Sequence, residues 1–159
     1  MAIRKPLVVV DGQVQQLSAS DTLDASVQEK DMFVLTNGES GAIIIGTPVY
    51  VSAASTCKKA QANASGTTEV IGLVATTSIA ASATGSVQSD GVLVATIAQW
   101  DDVGVTGGLV FGRQYYLDPA TAGKLTATAP TTGGQYIAPI GRALSTTDLE
   151  ITIGATILL

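Results

Sequence analysis

Histidine is absent from this chain of 159 residues, and there is a single cysteine, Cys57. The first absence removes the commonest general base and metal ligand near neutral pH. The second excludes an intrachain disulfide and a zinc site built on clustered thiolates. With no imidazole to activate it, Cys57 reads as a buried or incidental thiol. Aromatic residues make up 4% of the chain and charged residues 13%. A core must then be built from small aliphatic side chains with modest area each, which fits a chain that gains burial from a partner or from its own copies. The net charge is −5, and Arg4-Lys5 and Lys58-Lys59 are the basic pairs. Phosphate binding needs several clustered cations, so direct nucleic-acid binding is not expected. No apolar run approaches the roughly 20 residues that span a bilayer, so no membrane partner is expected either. The opening Met1-Ala2-Ile3-Arg4-Lys5-Pro6 leads into a very short apolar run, Leu7 to Val10, and no secretory signal is expected from it.

What is present in quantity is Thr, Ala, Val, Ile and Gly. Stiff β-branched side chains pack well on a pleated surface and favour strands. Asp11-Gly12 is a hairpin turn signal between Leu7–Val10 and the alternating Gln13–Leu17. Residues 18–31 are polar and acidic and read as a linker, with a helical turn capped by Ser20 or Asp21 as the lesser alternative. The chain thus divides into an N-terminal arm and linker, 1–31, and a β domain, 32–159. In the second part, short apolar segments end at turn residues every 8–12 positions or so: Met32–Thr36, Ala42–Ile45, Pro48–Val51, Lys58–Ala62, Glu69–Thr76 and Val92–Ile97. Further segments are Leu109–Phe111, Gln114–Leu117, Lys124–Ala129, Tyr136–Ile140, Arg142–Leu144 and Leu149–Leu158. Pro48 marks a strand start or an edge. Glu69–Thr76 reads as a central strand, and the C-terminal run as a buried final strand. A single helical turn is expected at 98–103, before the loop Gly104–Gly108. The fold class is all-β, a small sandwich or barrel.

An approximate internal duplication runs through the domain. Gly46-Thr47-Pro48-Val49-Tyr50-Val51-Ser52 is echoed by Gly112-Arg113-Gln114-Tyr115-Tyr116-Leu117-Asp118, and Ile71-Gly72 by Ile140-Gly141. Lys58 and Lys124 occupy comparable places between them. The halves 46–94 and 112–158 are expected to superpose, with Tyr50 near Tyr116 and Gly72 near Gly141. The spacing drifts by a few residues, and a chance likeness among Gly- and Thr-rich strands is the competing reading.

No constellation of catalytic residues is visible, and no cofactor or metal is expected. Asp101-Asp102 are adjacent in a turn and read as solvated, since a hard cation needs six or more oxygens. A glycosidase-like pair would have to come from Asp90, Asp101, Asp102 or Asp118, in a chain with one Trp. The loops Gly104–Gly108 and Thr131–Gly134 lack the following Lys-Ser or Lys-Thr of a phosphate loop. Trp100 reads first as a plug closing one end of a small β core and second as a ligand platform.

From Gly46 onward the chain resembles the small all-β domains of tailed-bacteriophage virions, which occur in capsid decoration (cement or head-fibre) proteins and as modules of tail-fibre and baseplate proteins. The motifs that carry the likeness are Gly46-Thr47-Pro48-Val49-Tyr50-Val51, Val70-Ile71-Gly72-Leu73-Val74 and Ser89-Asp90-Gly91-Val92-Leu93. They continue with Gln99-Trp100-Asp101, Gly107-Gly108-Leu109, Tyr115-Tyr116-Leu117 and Pro139-Ile140-Gly141-Arg142-Ala143-Leu144. Arg4–Leu17 and Asp21–Ala25 are similar to the opening of such proteins. The resemblance implies a structural protein without catalysis, made in the bacterial host cytoplasm and carried on the virion, on the capsid surface. Its partners would be the major capsid protein and copies of itself, with a trimer favoured over a dimer. Arg4, Pro6, Leu7, Val8, Val9 and Leu17 of the arm, with Trp100, are the candidate interaction residues. The alternative is an adhesion module of a tail fibre or baseplate that binds a host receptor or glycan. Exposed aromatics around Trp100, Tyr115 and Tyr136 would favour that alternative. The chain lacks the long repetitive shaft of a fibre, which favours decoration.

Overall fold

The computed structural model describes residues 7–10, 13–16 and 31–159. β1 (Leu7–Val10) and β2 (Gln13–Gln16) form an antiparallel ribbon with Val10 opposite Gln13, in agreement with the Asp-Gly turn signal between them. Arg4, Pro6, Leu17 and the linker 18–30 lie outside the described residues, as do the side chains of Leu7, Val8 and Val9.

The next strands are β3 (Met32–Asn37), β4 (Ile43–Ile44), β5 (Pro48–Ala53) and β6 (Thr56–Lys59). After one helical turn, α1 (Ser65–Thr68), come β7 (Val70–Val74), β8 (Ser78–Ile79) and β9 (Thr84–Gln88). The order β3-β6-β5-β7-β9 closes into a barrel. β3 runs antiparallel to β9, and its far end runs parallel to β6 at Thr36–Thr56 and Asn37–Cys57. Closure leaves no open edge in this sheet. β4 and β8 form a small clip, with Ile43 opposite Ile79.

The remaining elements are β10 (Gly91–Val94), α2 (Ile97–Asp102), β11 (Gln114–Leu117), β12 (Leu125–Thr126), β13 (Tyr136–Ile137), β14 (Pro139–Ala143), β15 (Asp148–Ile151) and β16 (Ile157–Leu158). The second sheet has the order β10-β15-β14-β11-β12, which is the ring of the first read in the other direction, with each strand replaced by its counterpart and left open between β10 and β12. The correspondence extends to single residues. Val49 faces Gly72 and Tyr50 faces Val70 across a bulge; Tyr115 faces Gly141 and Tyr116 faces Pro139 across a bulge at the same step. Gly46 N–H donates to the Val74 carbonyl, and Gly112 N–H to the Ala143 carbonyl, both at 2.8 Å. Both glycines have positive φ, +81° and +75°, a conformation that costs glycine little. Val74 N–H donates to Thr47 O, and Ala143 N–H to Arg113 O.

The duplication is therefore real, and Tyr50 and Tyr116 are equivalent, as are Gly72 and Gly141. Its boundaries differ from those drawn from the sequence. The copies are residues 32–88 and 91–151, because β10 pairs with β15 as β3 pairs with β9. Lys58 matches Thr126 and not Lys124, since Lys58 stands opposite Tyr50 and Thr126 opposite the equivalent Tyr116. The cause is a longer hairpin turn in the second copy, where Asp118–Lys124 stands in for Ser52–Thr56.

The copies differ most after their first strand. In repeat 1, β3 meets β6 directly. In repeat 2 the chain leaves the sheet as α2 and returns at Val103, whose carbonyl accepts from Leu125 N–H at 2.9 Å. α2 begins at a reciprocal cap: Thr96 Oγ1 accepts from Gln99 N–H and Gln99 Oε1 from Thr96 N–H. The helix expected at 98–103 is present. Leu109–Phe111 is not a strand, and only Leu125–Thr126 of 124–129 is one. The C-terminal run is not a buried final strand either. β15 ends at Ile151, and Ile157 and Leu158 form a short exposed pair with β13. Past Ile151 the chain follows β14 only through Thr152 N–H to Ile140 O and Gly154 N–H to Pro139 O, and then leaves the sheet.

Each repeat has the same inward set. Leu35, Ile43, Val49, Cys57, Val74 and Val87 fill the first barrel. Ala95, Leu109, Tyr115, Leu125, Ala143 and Leu149 hold the matching places in the second repeat. The second core is larger because it continues across the junction to Ile45, Ala60, Ala62 and Leu73 of repeat 1. Full burial of one such aliphatic side chain stabilises by about 1.5–3 kcal/mol.

Candidate functional site

The polar side chains singled out in the sequence act within their own loops. Asp101 Oδ1 accepts from Gly107 N–H at 2.6 Å and Gly108 N–H at 3.2 Å, which folds the glycine loop back onto α2. Asp118 Oδ1 accepts from Ala120 and Thr121 N–H at 2.5 and 3.0 Å. Asp102 offers its backbone carbonyl to Lys124 Nζ. Among the described residues, no group of three or more His, Cys, Asp or Glu side chains is placed to hold a metal ion. Cys57 lies inside the first barrel. Burial pushes its thiol above the usual value, opposed by a backbone hydrogen bond and reinforced by the Glu39 carboxylate.

Trp100 has no exposed surface. Its Nε1 donates to the Thr147 carbonyl at 2.8 Å, and its ring lies against Gly46 and Val103. It plugs the junction between the repeats and offers no surface contact, which corrects its place among the candidate interaction residues. Tyr115 is also buried, with its hydroxyl accepting from Val110 N–H at 2.9 Å. Tyr136 is half-buried. These three rings do not form a stacking platform.

The built feature of the molecule is the junction face. Repeat 1 presents Ile44, Ile45, Gly46, Thr47 and Leu73, and repeat 2 covers them. Two parts of repeat 2 do the covering. Trp100 lies over Gly46, and the β11–β12 turn lies along Thr47 and Lys59 through Gly123. Gly123 N–H donates to Ala60 O at 2.7 Å, and Ala62 N–H to Asp118 O at 3.1 Å. The matching face of repeat 2 is Val110, Phe111, Gly112, Arg113 and Arg142, and all five are exposed. Phe111 is 78% exposed and Val110 53%. No atom outside its neighbours approaches the space beside Gly112, where Gly46 has Trp100. A pocket of about 150 Å³ opens beside this face, between Gly104, Val105, Val110, Arg113, Tyr115 and Ala127.

Sequence reasoning missed Val110, Phe111 and Arg113 as surface residues. The signal was the alignment of Ile44-Ile45-Gly46-Thr47 with Val110-Phe111-Gly112-Arg113, two positions upstream of where the likeness was read. Among the described residues no helix is long and apolar enough to cross a membrane. No known protein family, curated protein or solved structure matches this chain.

Proposed function

We infer that this chain is a virion structural protein that binds the outer surface of a bacteriophage capsid and stabilises the shell. The observation that carries the reading is a rigid tandem β scaffold whose carboxylates Asp101 and Asp118 are spent in holding its own loops, as suits a structural protein. Its supports are the ordered motif resemblance along nearly the whole chain and the tandem β repeats. The adhesion alternative is weakened, because two of the three rings it would use for a glycan, Trp100 and Tyr115, are buried in the core. The major capsid protein is the partner in this reading, and the arm, residues 1–31, assists attachment.

The test is electron microscopy of particles of the phage that encodes the chain, prepared with and without it. The expected result is difference density on the capsid surface, with earlier heat rupture of bare shells. Density confined to the tail would overturn the decoration reading. Full-length protein should rebind bare shells, and protein lacking residues 2–24 should rebind more weakly.

A further inference from the structure

Repeat 2 carries the same face that repeat 1 keeps covered, and nothing among the described residues covers it on repeat 2. We propose that this face, Val110–Arg113 with its adjoining pocket, binds repeat 1 of a second copy of the chain, head to tail. The occupant follows from the internal junction. There, the β11–β12 turn of repeat 2 seats against Thr47 and Lys59 of repeat 1. The counterparts of Thr47 and Lys59 are Arg113 and Ala127, and both line the open pocket. The counterpart of the seated turn is Ser52–Thr56, across the β5–β6 hairpin.

That turn is free. Residues 51–55 are all exposed, and Val51 is 49% exposed where its counterpart Leu117 is buried. It is two residues shorter than the seated turn but shares one left-handed step with it. Ser55 has φ +52° and its counterpart Gly123 has φ +74°. A left-handed serine is unusual, so the step before the returning strand is kept in both turns although the residue differs. One chain thus carries an unused copy of the turn at one end and an unused copy of its seat at the other.

The difference between the internal and external contacts is also accounted for. Repeat 1 has no helix like α2 and brings no tryptophan. On the receiving face the side chain before the glycine grows from Ile45 to Phe111, which supplies volume that Trp100 supplies internally. Such a contact is heterologous and closes only as a ring or extends as a filament. It depends on the chain alone and stands whether or not the partner surface is a capsid.

The test uses two full-length single-cysteine additions, Ser55→Cys and Arg113→Cys. Native Cys57 is buried and stays out of the reaction. Each variant oxidised alone should remain uncrosslinked. Their mixture should give a reducible dimer containing one of each, and the double variant should give higher covalent oligomers. Separately, Phe111→Glu should lower the sedimenting mass while leaving the far-UV circular dichroism unchanged. Crosslinking of either single variant by itself would indicate a two-fold contact and overturn the proposal. So would a mixture that fails to crosslink while the wild type self-associates, or a wild type that sediments as a monomer at about 100 μM. If deletion of residues 1–30 is needed before the mixture crosslinks, the chain's own arm covers the face, and the proposal fails.

Discussion

Single residues decide whether the two sheets can close up. A Cβ at Gly72 would collide with the Gln88 carbonyl oxygen, and one at Gly141 with the Glu150 carbonyl oxygen. Neighbouring strands approach too closely at these points for any side chain. Gly72→Ala and Gly141→Ala should each cost about 1–3 kcal/mol in urea unfolding, the usual range for overpacking. Gly41→Ala, with open space around it, should stay within about 0.5 kcal/mol of the wild type. Cys57 makes a pH prediction. Its folded-state value is raised, mainly by burial. Below the unfolded thiol's value both states are protonated and nothing changes with pH. Above it the unfolded chain ionises first and binds fewer protons, so stability falls as pH rises through the folded value. The urea midpoint should drop more steeply above about pH 9 in the wild type than in Cys57→Ala.

At the level of elements, α2 is the feature that makes the second repeat unlike the first. It is only six residues long, too short to persist on propensity alone. The Thr96–Gln99 cap and the burial of Trp100 hold it. Thr96→Ala should cost about 1 kcal/mol. Trp100→Ala should cost about 3–5 kcal/mol, because it opens the junction and leaves the Thr147 carbonyl without its indole donor. Chemical denaturation read by circular dichroism checks both. If the two substitutions cost the same, α2 is held by its cap and not by its tryptophan. The capping pattern is legible in Thr96-Ile97-Ala98-Gln99, and the break in strand rhythm at Trp100 marks the same helix. Leu109–Phe111 misled because an apolar triplet reads as a strand when its neighbours are strands. The hydrogen bond from Arg113 N–H to the Val110 carbonyl instead folds it into a turn before the positive-φ Gly112.

For the whole molecule, the junction joins the repeats into one cooperative body. The second core includes Ile45, Ala60, Ala62 and Leu73 from the first repeat, so unfolding either copy bares the other. Scanning calorimetry should show one transition with matching calorimetric and van't Hoff enthalpies. Two separated transitions would mean that the repeats are stable independently. A linear array of repeats leaves one uncovered face at each end, and solubility requires that such faces be capped or polar. Here the terminal face carries Phe111 and Val110 beside Arg113 and Arg142, which makes it a mixed docking surface and not a polar cap.

The all-β class, the duplication, the Asp-Gly ribbon and the central place of β7 were determined by local chemistry. Turn residues, alternation and β-branched content act over a few residues and are written directly in the chain. The repeat was visible because both copies need a small residue at Gly72 and Gly141 and left-handed backbone at Gly46 and Gly112. Only the tertiary structure decided which equivalent side chains are inside and which are out. Ile45 and Phe111 hold the same place in their repeats and are similar in hydrophobicity, yet one is buried and the other bare. The difference arises from what lies beyond each repeat: repeat 2 covers the first, and nothing within the described residues covers the second. No local pattern carries that information, because burial across a junction depends on the neighbour and not on the residue.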